Sequence, residues 1–268
     1  MNTFNGKAIY NPSGKAGEYS QWACNFYNGC SNGCGYCYCK TGILAPTLGG
    51  DHPTLKKCFR DEKHALEVFQ EELMQNLAEL QEHGLFFSFT TDPMLPETIR
   101  LTECAMDLAT DHDVPVKILT KRADWVDYLL PRLPINWHNN YAFGFTLTGH
   151  DELEPNASTN AERIKAMQKL YKAGFSIFAS IEPIIDLDSS LQMICATYGS
   201  CDHYKIGLES GKRYDRAELQ IFITTVLSDN HAGATFYFKD SLLKAAGIDR
   251  KDLPANCVGR DYNIFNNK

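Results

Sequence analysis

Three cysteines, Cys30, Cys34 and Cys37, are spaced C-x3-C-x2-C inside the stretch Asn-Gly-Cys-Ser-Asn-Gly-Cys-Gly-Tyr-Cys-Tyr-Cys that runs over residues 28–39. A loop this short can turn three thiolates toward one point, and crowded thiolates are ligands for zinc or for an iron-sulfur cluster. A 4Fe-4S cluster would use these three and leave one iron open to an exogenous ligand. A structural zinc would need a fourth corner, from Cys24 or Cys39. Zinc modules usually set paired C-x2-C knuckles well apart, whereas here every candidate lies within 16 residues, which favours the cluster.

The 268 residues, 44% of them hydrophobic, suffice for one substantial core, and an α/β barrel of this length is routinely one domain. The expectation is a single domain over 1–268, with an irregular arm at 1–20, a barrel core at 21–239 and a C-terminal extension at 240–268. A formal charge of -7 argues against a broad basic surface for nucleic acid. Residues 1–20 hold no apolar run of signal-peptide length, and nothing later approaches the roughly 18 apolar residues of a membrane span. A cytoplasmic protein with no membrane partner is expected, in which cysteines are metal ligands, catalytic thiols or small core residues rather than disulfides.

Along the chain, residues 19–27 read as a first strand that delivers the cysteine loop, and 40–60 as a long connection. Ala65, Phe69, Leu73, Leu77 and Leu80 keep helical spacing and predict a helix over 61–83 with Gly84 as its stop. Strands are predicted at 85–90, 114–120, 141–148, 175–181, 203–208 and 235–238. Between them lie helices from Pro96 to about 110, at 123–130, from Thr159 with a capping-box Glu162, from Asp188, and at 217–227. Strands alternating with amphipathic helices specify an α/β fold, a full or partial (β/α) barrel with parallel strands. Functional groups then gather at the strands' carboxyl ends. There fall the cysteine loop, Thr90-Thr91-Asp92, Thr120-Lys121, Thr146 to His150, Glu182 and Glu209.

The segment Cys30-x3-Cys34-x-Tyr36-Cys37 resembles the signature of the radical S-adenosylmethionine (radical SAM) superfamily. The wider stretch from Asn25 to Tyr38 is similar to its spore photoproduct lyase-like, DNA repair photolyase-like branch. So are Thr91-Asp92-Pro93 before Pro96-Glu97, Leu119-Thr120-Lys121, Glu154-Pro155 before Glu162-Arg163, and Glu182-Pro183-Ile184. Beyond residue 185, Ile206 to Gly211 and Phe236-Tyr237-Phe238-Lys239 are more similar to a phage-associated radical-SAM-like family.

The resemblance implies a barrel of the radical SAM type and an enzyme. Its 4Fe-4S cluster, on Cys30, Cys34 and Cys37, would cleave S-adenosylmethionine reductively, and the 5′-deoxyadenosyl radical would take a substrate hydrogen. It also implies an electron donor such as flavodoxin or ferredoxin, and a substrate in the class of nucleic acid or nucleotide. Tyr36 would border the adenine. Thr90, Thr91 and Asp92 stand where the superfamily contacts the methionyl amino group, although the usual Gly-Glu pair is missing, and Asp92 also reads as a turn cap before Pro93.

Lys121 suits the methionyl carboxylate or a substrate anion, and equally a solvated loop. Thr146 and Thr148 could reach ribose hydroxyls or serve simply as strand residues. Glu182 is a carboxylate in an apolar run and needs a partner. Glu209 and Lys239 read either as a substrate contact or as an ion pair. The remaining cysteines, Cys104 among them, read as small core residues before hydrogen-atom donors. The competing reading of the whole chain is a zinc-stabilised binding or adaptor protein on a barrel scaffold, without catalysis.

Overall fold

The structure, a computed structural model, describes residues 3–133, 138–228 and 233–267. Its strands are β1 (Ile9–Tyr10), β2 (Ala23–Cys24), β3 (Tyr27–Asn28), β4 (Thr54–Leu55), β5 (Leu85–Phe87), β6 (Val116–Thr120), β7 (Tyr141–Thr146), β8 (Ser176–Ile184), β9 (His203–Leu208) and β10 (Thr235–Phe238). Its α-helices are α1 (Ala45–Leu48), α2 (Glu62–Gln75), α3 (Leu77–His83), α4 (Ile99–Asp111), α5 (Val126–Leu129), α6 (Asn160–Lys172), α7 (Leu187–Ala196), α8 (Arg216–Ser228) and α9 (Asp240–Ala246). Among the described residues no helix is long and apolar enough to cross a membrane.

Eight strands form one sheet in the order β1-β2-β5-β6-β7-β8-β9-β10, while β3 and β4 pair in a ribbon of their own. Every pairing in the large sheet is parallel except that of β1 with β2. Parallel strands that are neighbours in both sequence and space need a crossover each, and crossovers of one hand put all their helices on one face. Such a sheet curls into a barrel. Here β1 and β10 stay as edges, so the expected (β/α) barrel is a partial one.

Alternation along the strands sorts side chains to two faces. Ile118, Phe143 and Ile177 stand in register and join the large core under the helices. The other face carries Ala23, Phe86, Ala142 and Phe178, which enclose Ile264 in a second, inner cluster. Fully burying a side chain of this size stabilises by about 1.5–3 kcal/mol. The inner cluster seals the lower half of the barrel and leaves the strands' carboxyl ends open.

Local chemistry sets the element ends. Asp61 caps α2 by accepting from His64 N (2.8 Å), and the predicted Thr159–Glu162 capping box starts α6. The helix expected over 61–83 breaks at Asn76, whose amide donates to Glu72 O, and Gly84 ends it with φ +71°. α7 begins one cap earlier than expected, because Asp186 and not the exposed Asp188 accepts from Ser189 N (2.8 Å). α4 begins at Ile99 rather than Pro96, after a turn in which Thr98 N and Ile99 N donate to Leu95 O. The first strand is far shorter than predicted: Asn25 interrupts it, its side chain bridging Phe89 N and Tyr10 Oη.

The arm expected at 1–20 and the C-terminal extension expected at 240–268 both take part in the fold. Residues 7–9 are held by buried Glu72, whose carboxylate accepts from the N–H groups of Lys7, Ala8 and Ile9 at 2.6–2.9 Å. After α9 the chain pairs Val258 N with Phe236 O along the β10 edge, then sends Ile264 into the barrel floor.

Gly144 sets how closely that floor packs, since an added Cβ would lie 2.2 Å from the Phe178 ring. Gly144→Ala is expected to cost about 1–3 kcal/mol, read as a lower urea midpoint at unchanged slope. Adding Phe178→Leu should restore part of the loss. Equal midpoints for wild type and Gly144→Ala would contradict the packing.

Candidate functional site

The cysteine loop leaves β3 through Gly29, whose φ of +82° and whose missing Cβ, which would lie 2.4 Å from His52 O, admit only glycine. The loop is then braced from three sides. On one side Cys30 N donates to Gly50 O (3.0 Å); on a second, segment 153–156 takes Gly35 N on Leu153 O (2.9 Å) and gives Asn156 N to Asn32 O (3.2 Å). The third brace is Asp92, 7% exposed, after β5. One of its oxygens accepts from Asn32 Nδ2 (2.8 Å) and Lys121 N (2.8 Å), the other from Thr120 Oγ1 (2.6 Å) and Met94 N (3.0 Å). A carboxylate offers about four acceptor sites, and these four hydrogen bonds fill them.

Behind the loop stands a buried chain of polar groups. Tyr36 Oη donates to Glu154, and Glu154 accepts from Arg163 Nη2 in an ion pair with both side chains fully buried. Arg163 also donates to Ser158 O and Thr146 O, each at 2.7 Å. Lys121 Nζ lies 5.6 Å from the centre of the Tyr36 ring. Burial opposes its charge, but interaction with Cys34, once ionised, and with the Glu154 carboxylate prevails and raises its pKa.

The three cysteines differ in their readiness to ionise. A hydrogen bond from the Cys39 thiol, backbone N–H groups and the Lys121 charge bring Cys37 down to about 6 against the cost of burial. Burial and the Asp92 charge push Cys30 up to about 12, and burial also raises Cys34. Loading such a site releases protons. Cys39 stays a thiol beside the Cys37 thiolate, while Cys24 is fully buried in β2.

Cys30, Cys34 and Cys37 open onto a cavity of about 560 Å³ at the carboxyl ends of the strands. Tyr36, Thr90, Thr91, Asp92, Lys121, Thr146 and Glu182 line the same cavity, so the structure gathers these predicted residues. Thr148 lies outside it: fully buried, its hydroxyl accepts from His150 N (3.2 Å). Thr90 spends its hydroxyl proton on Tyr27 O (2.6 Å). Asn32 Oδ1 and Thr91 Oγ1, by contrast, are buried with no hydrogen-bond partner. Such a group costs about 1–3 kcal/mol unless something fills it, and both residues face the cavity. Among the described residues no three His, Cys, Asp or Glu side chains are grouped to ligate a single ion.

The opposite wall comes from the N-terminal arm. Tyr19 Oη donates to Glu182 (2.7 Å) and shares a hydrogen bond with Ser180 (2.6 Å). Lys239 Nζ reaches both Glu182 oxygens (2.9 and 2.8 Å), with Glu18 3.5 Å away. The partner that Glu182 needed is therefore Lys239, and Glu209 stands by Lys212 at 3.9 Å instead. Glu18 accepts from Tyr237 Oη (3.0 Å) and Asp240 N (3.1 Å), and its carbonyl accepts from Lys205 Nζ (2.8 Å).

Sequence reasoning overlooked Asn32, Glu18 and Tyr19, and took residues 1–20 for an arm without a role at the site. Arg163 entered only as part of a motif. It had a signal of its own: it sits three, four and seven residues before Ala166, Met167 and Leu170, on the buried stripe of α6.

No family model and no curated protein matches the chain. Among solved structures it is similar to Streptococcus suis SuiB bound to S-adenosylmethionine, with 12% identity and a TM-score of 0.56, covering 83% of this chain and 51% of that one. SuiB bound to precursor peptide SuiA aligns at 12% identity with a TM-score of 0.54, over 83% and 50%. The chain thus spans about half the length of the SuiB chains it matches. The likeness is one of fold: a partial, mostly parallel barrel, as expected from the sequence.

Arg163→Met would leave Glu154 a buried charge without its cation, at an expected cost of about 3–5 kcal/mol in urea unfolding. The double variant with Glu154→Gln should recover part of it. A loss under about 1 kcal/mol for the single variant would contradict the pairing.

Burial lowers Lys205 to about 7 and Lys117 to about 8. A folded-state lysine pKa below the unfolded value means that the unfolded chain holds more protons between the two. The penalty is full below about pH 7 and fades as pH rises toward the ordinary lysine range, so stability rises over that window. Lys205→Met should flatten the rise between about pH 7 and 10 and be the more stable near pH 7. An unchanged slope would rule out a neutralised Lys205.

Proposed function

We propose that this chain is a radical SAM enzyme, with Cys30, Cys34 and Cys37 holding a 4Fe-4S cluster and the adjoining cavity holding S-adenosylmethionine. The observation that carries the reading is the meeting of three loop thiols with two unpartnered buried oxygens, Asn32 Oδ1 and Thr91 Oγ1, in one cavity at the strand ends. The C-x3-C-x2-C spacing and the fold shared with a protein solved with S-adenosylmethionine support it. When bound, the two cofactors supply reductive cleavage to a 5′-deoxyadenosyl radical, with a flavodoxin- or ferredoxin-type donor providing the electron.

This chain's own residues position and exclude. Asp92, saturated by four hydrogen bonds, fixes the loop to β6, so the oxygens left for a ligand's ammonium are those of Asn32 and Thr91. Lys121 presents a retained positive charge to a carboxylate. Tyr36, pinned through Glu154, offers its ring beside the third cysteine for a planar group. Tyr19 and the Glu182–Lys239 pair close the far side of the cavity against water.

A structural zinc suits the geometry less well. A closed zinc site needs a fourth donor, and Cys24, one of its two candidates, is fully buried in β2 and does not line the cavity.

Anaerobic purification and reconstitution test the reading. A brown protein with about four irons and four sulfides per chain is expected, lost in Cys30→Ala, Cys34→Ala or Cys37→Ala and kept in Cys24→Ala. With dithionite and S-adenosylmethionine it should release 5′-deoxyadenosine. A colourless protein that keeps one zinc through reconstitution would favour the adaptor reading.

A further inference from the structure

Past the last of the three cysteines the chain makes a projecting turn before it returns to the site. Both ends of that turn line the cavity mouth, with Tyr38 and Thr41 on the way out and Leu48 on the way back. Its tip carries Ile43 and Leu44, 97% and 62% exposed, and Tyr38 at the rim is 61% exposed. The turn is tied at its base, where Cys30 N donates to Gly50 O (3.0 Å). Exposed large apolar side chains gathered at one rim mark a binding surface, whereas scattered ones do not.

Charge and size select what covers it. The rim lysine, Lys40, is engaged by Asp51 at 2.6 Å, and Arg122 behind the loop is forked onto Asp124 at 3.0 and 2.6 Å. A nucleic-acid strand requires uncommitted cations interleaved with aromatic platforms, and a membrane surface requires a basic flank beside the apolar one. Ile43 and Leu44 are aliphatic and stand on a chain of net charge -7. Other lysines do not extend the rim into a basic groove: Lys117 is inside the barrel, Lys121 is in the cavity, and Lys56 donates to Lys7 O. A cavity of about 560 Å³ is sized for one small ligand. A cofactor would take up much of that space, so most of a large substrate would have to lie outside, on the rim.

We propose that the substrate is a polypeptide, one side chain of which enters the cavity while its apolar neighbours lie on Tyr38, Ile43 and Leu44. This rests on the reading of the cavity as a catalytic one. The test is selection of phage-displayed random peptides on the anaerobically reconstituted protein, followed by affinity measurement of the selected peptides. Binding should weaken roughly tenfold or more in Ile43→Glu/Leu44→Glu, a variant of two exposed positions whose melting should follow wild type.

Three outcomes overturn the proposal: peptides that bind wild type and variant alike, single-stranded oligothymidine or phosphatidylglycerol-containing vesicles binding in their place, or a wild-type dimer that the variant splits. S-adenosylmethionine binding is measured by dialysis on the same samples. Cofactor binding without selective peptides sinks this proposal alone, whereas its absence alongside selective peptides sinks the radical SAM reading and leaves the surface standing.

Discussion

A carboxylate buried in protein must have its oxygens filled, and this molecule uses that requirement to hold its irregular segments. Glu18, Glu72, Asp92 and Glu154 are each less than a tenth exposed. Glu72 collects the N–H groups of residues 7–9, and Asp92 joins the cysteine loop to the end of β6. Glu154 takes Tyr36 and Arg163, and Glu18 takes Tyr237 and the start of α9. Strand and helix ladders satisfy their own backbone groups, but a loop that carries ligands cannot. A charged acceptor makes stronger hydrogen bonds than a neutral one, and it loses heavily if any donor leaves. The loop thus acquires, from single side chains, an order that regular structure would otherwise provide.

The cavity that results has two unlike walls. The loop wall holds thiols of unequal acidity, a lysine kept charged and two oxygens with nothing to bind. The arm wall is complete in itself, with Glu182, Lys239, Tyr19 and Ser180 satisfying one another. A wall with open valences is built to receive a ligand, and a completed one to bound the space. That division puts cofactor binding on the loop side and leaves the mouth, beside Tyr38 and Thr41, as the way in for a second molecule.

Much of the barrel was legible because burial on one face imposes a period. His203–Leu208 and Thr235–Phe238 are both found at their predicted bounds, and the Thr159–Glu162 box starts its helix as written. The misses have a common cause. Ala23–Cys24 is too short for a period to show, and residues 7–19 and 257–265 contribute isolated residues to cores built by others. Their partners lie up to some two hundred positions away, as Lys205 does from Glu18. At the site, the ligand residues announced themselves by spacing, whereas Asn32 and Glu18 owe their importance to which donors reach them, and no local pattern encodes that. Thr148 shows the converse, since a suitable residue two positions beyond β7 is spent on the backbone of His150.

The pairing of charges inside the cavity limits what it attracts. Lys239 is matched by Glu182 and Glu18, and Lys121 faces the Glu154 carboxylate. In a medium of low polarisability each pair cancels most of its own field, so the cavity exerts little net pull on a free phosphate. A ligand bearing both an ammonium and a carboxylate suits such a place better than a simple anion, because it offers one charge to unpartnered oxygens and the other to a retained lysine. The same balance explains why recognition of anything larger must be carried by shape and apolar contact at the mouth, where Ile43 and Leu44 stand in solvent, and not by attraction from within.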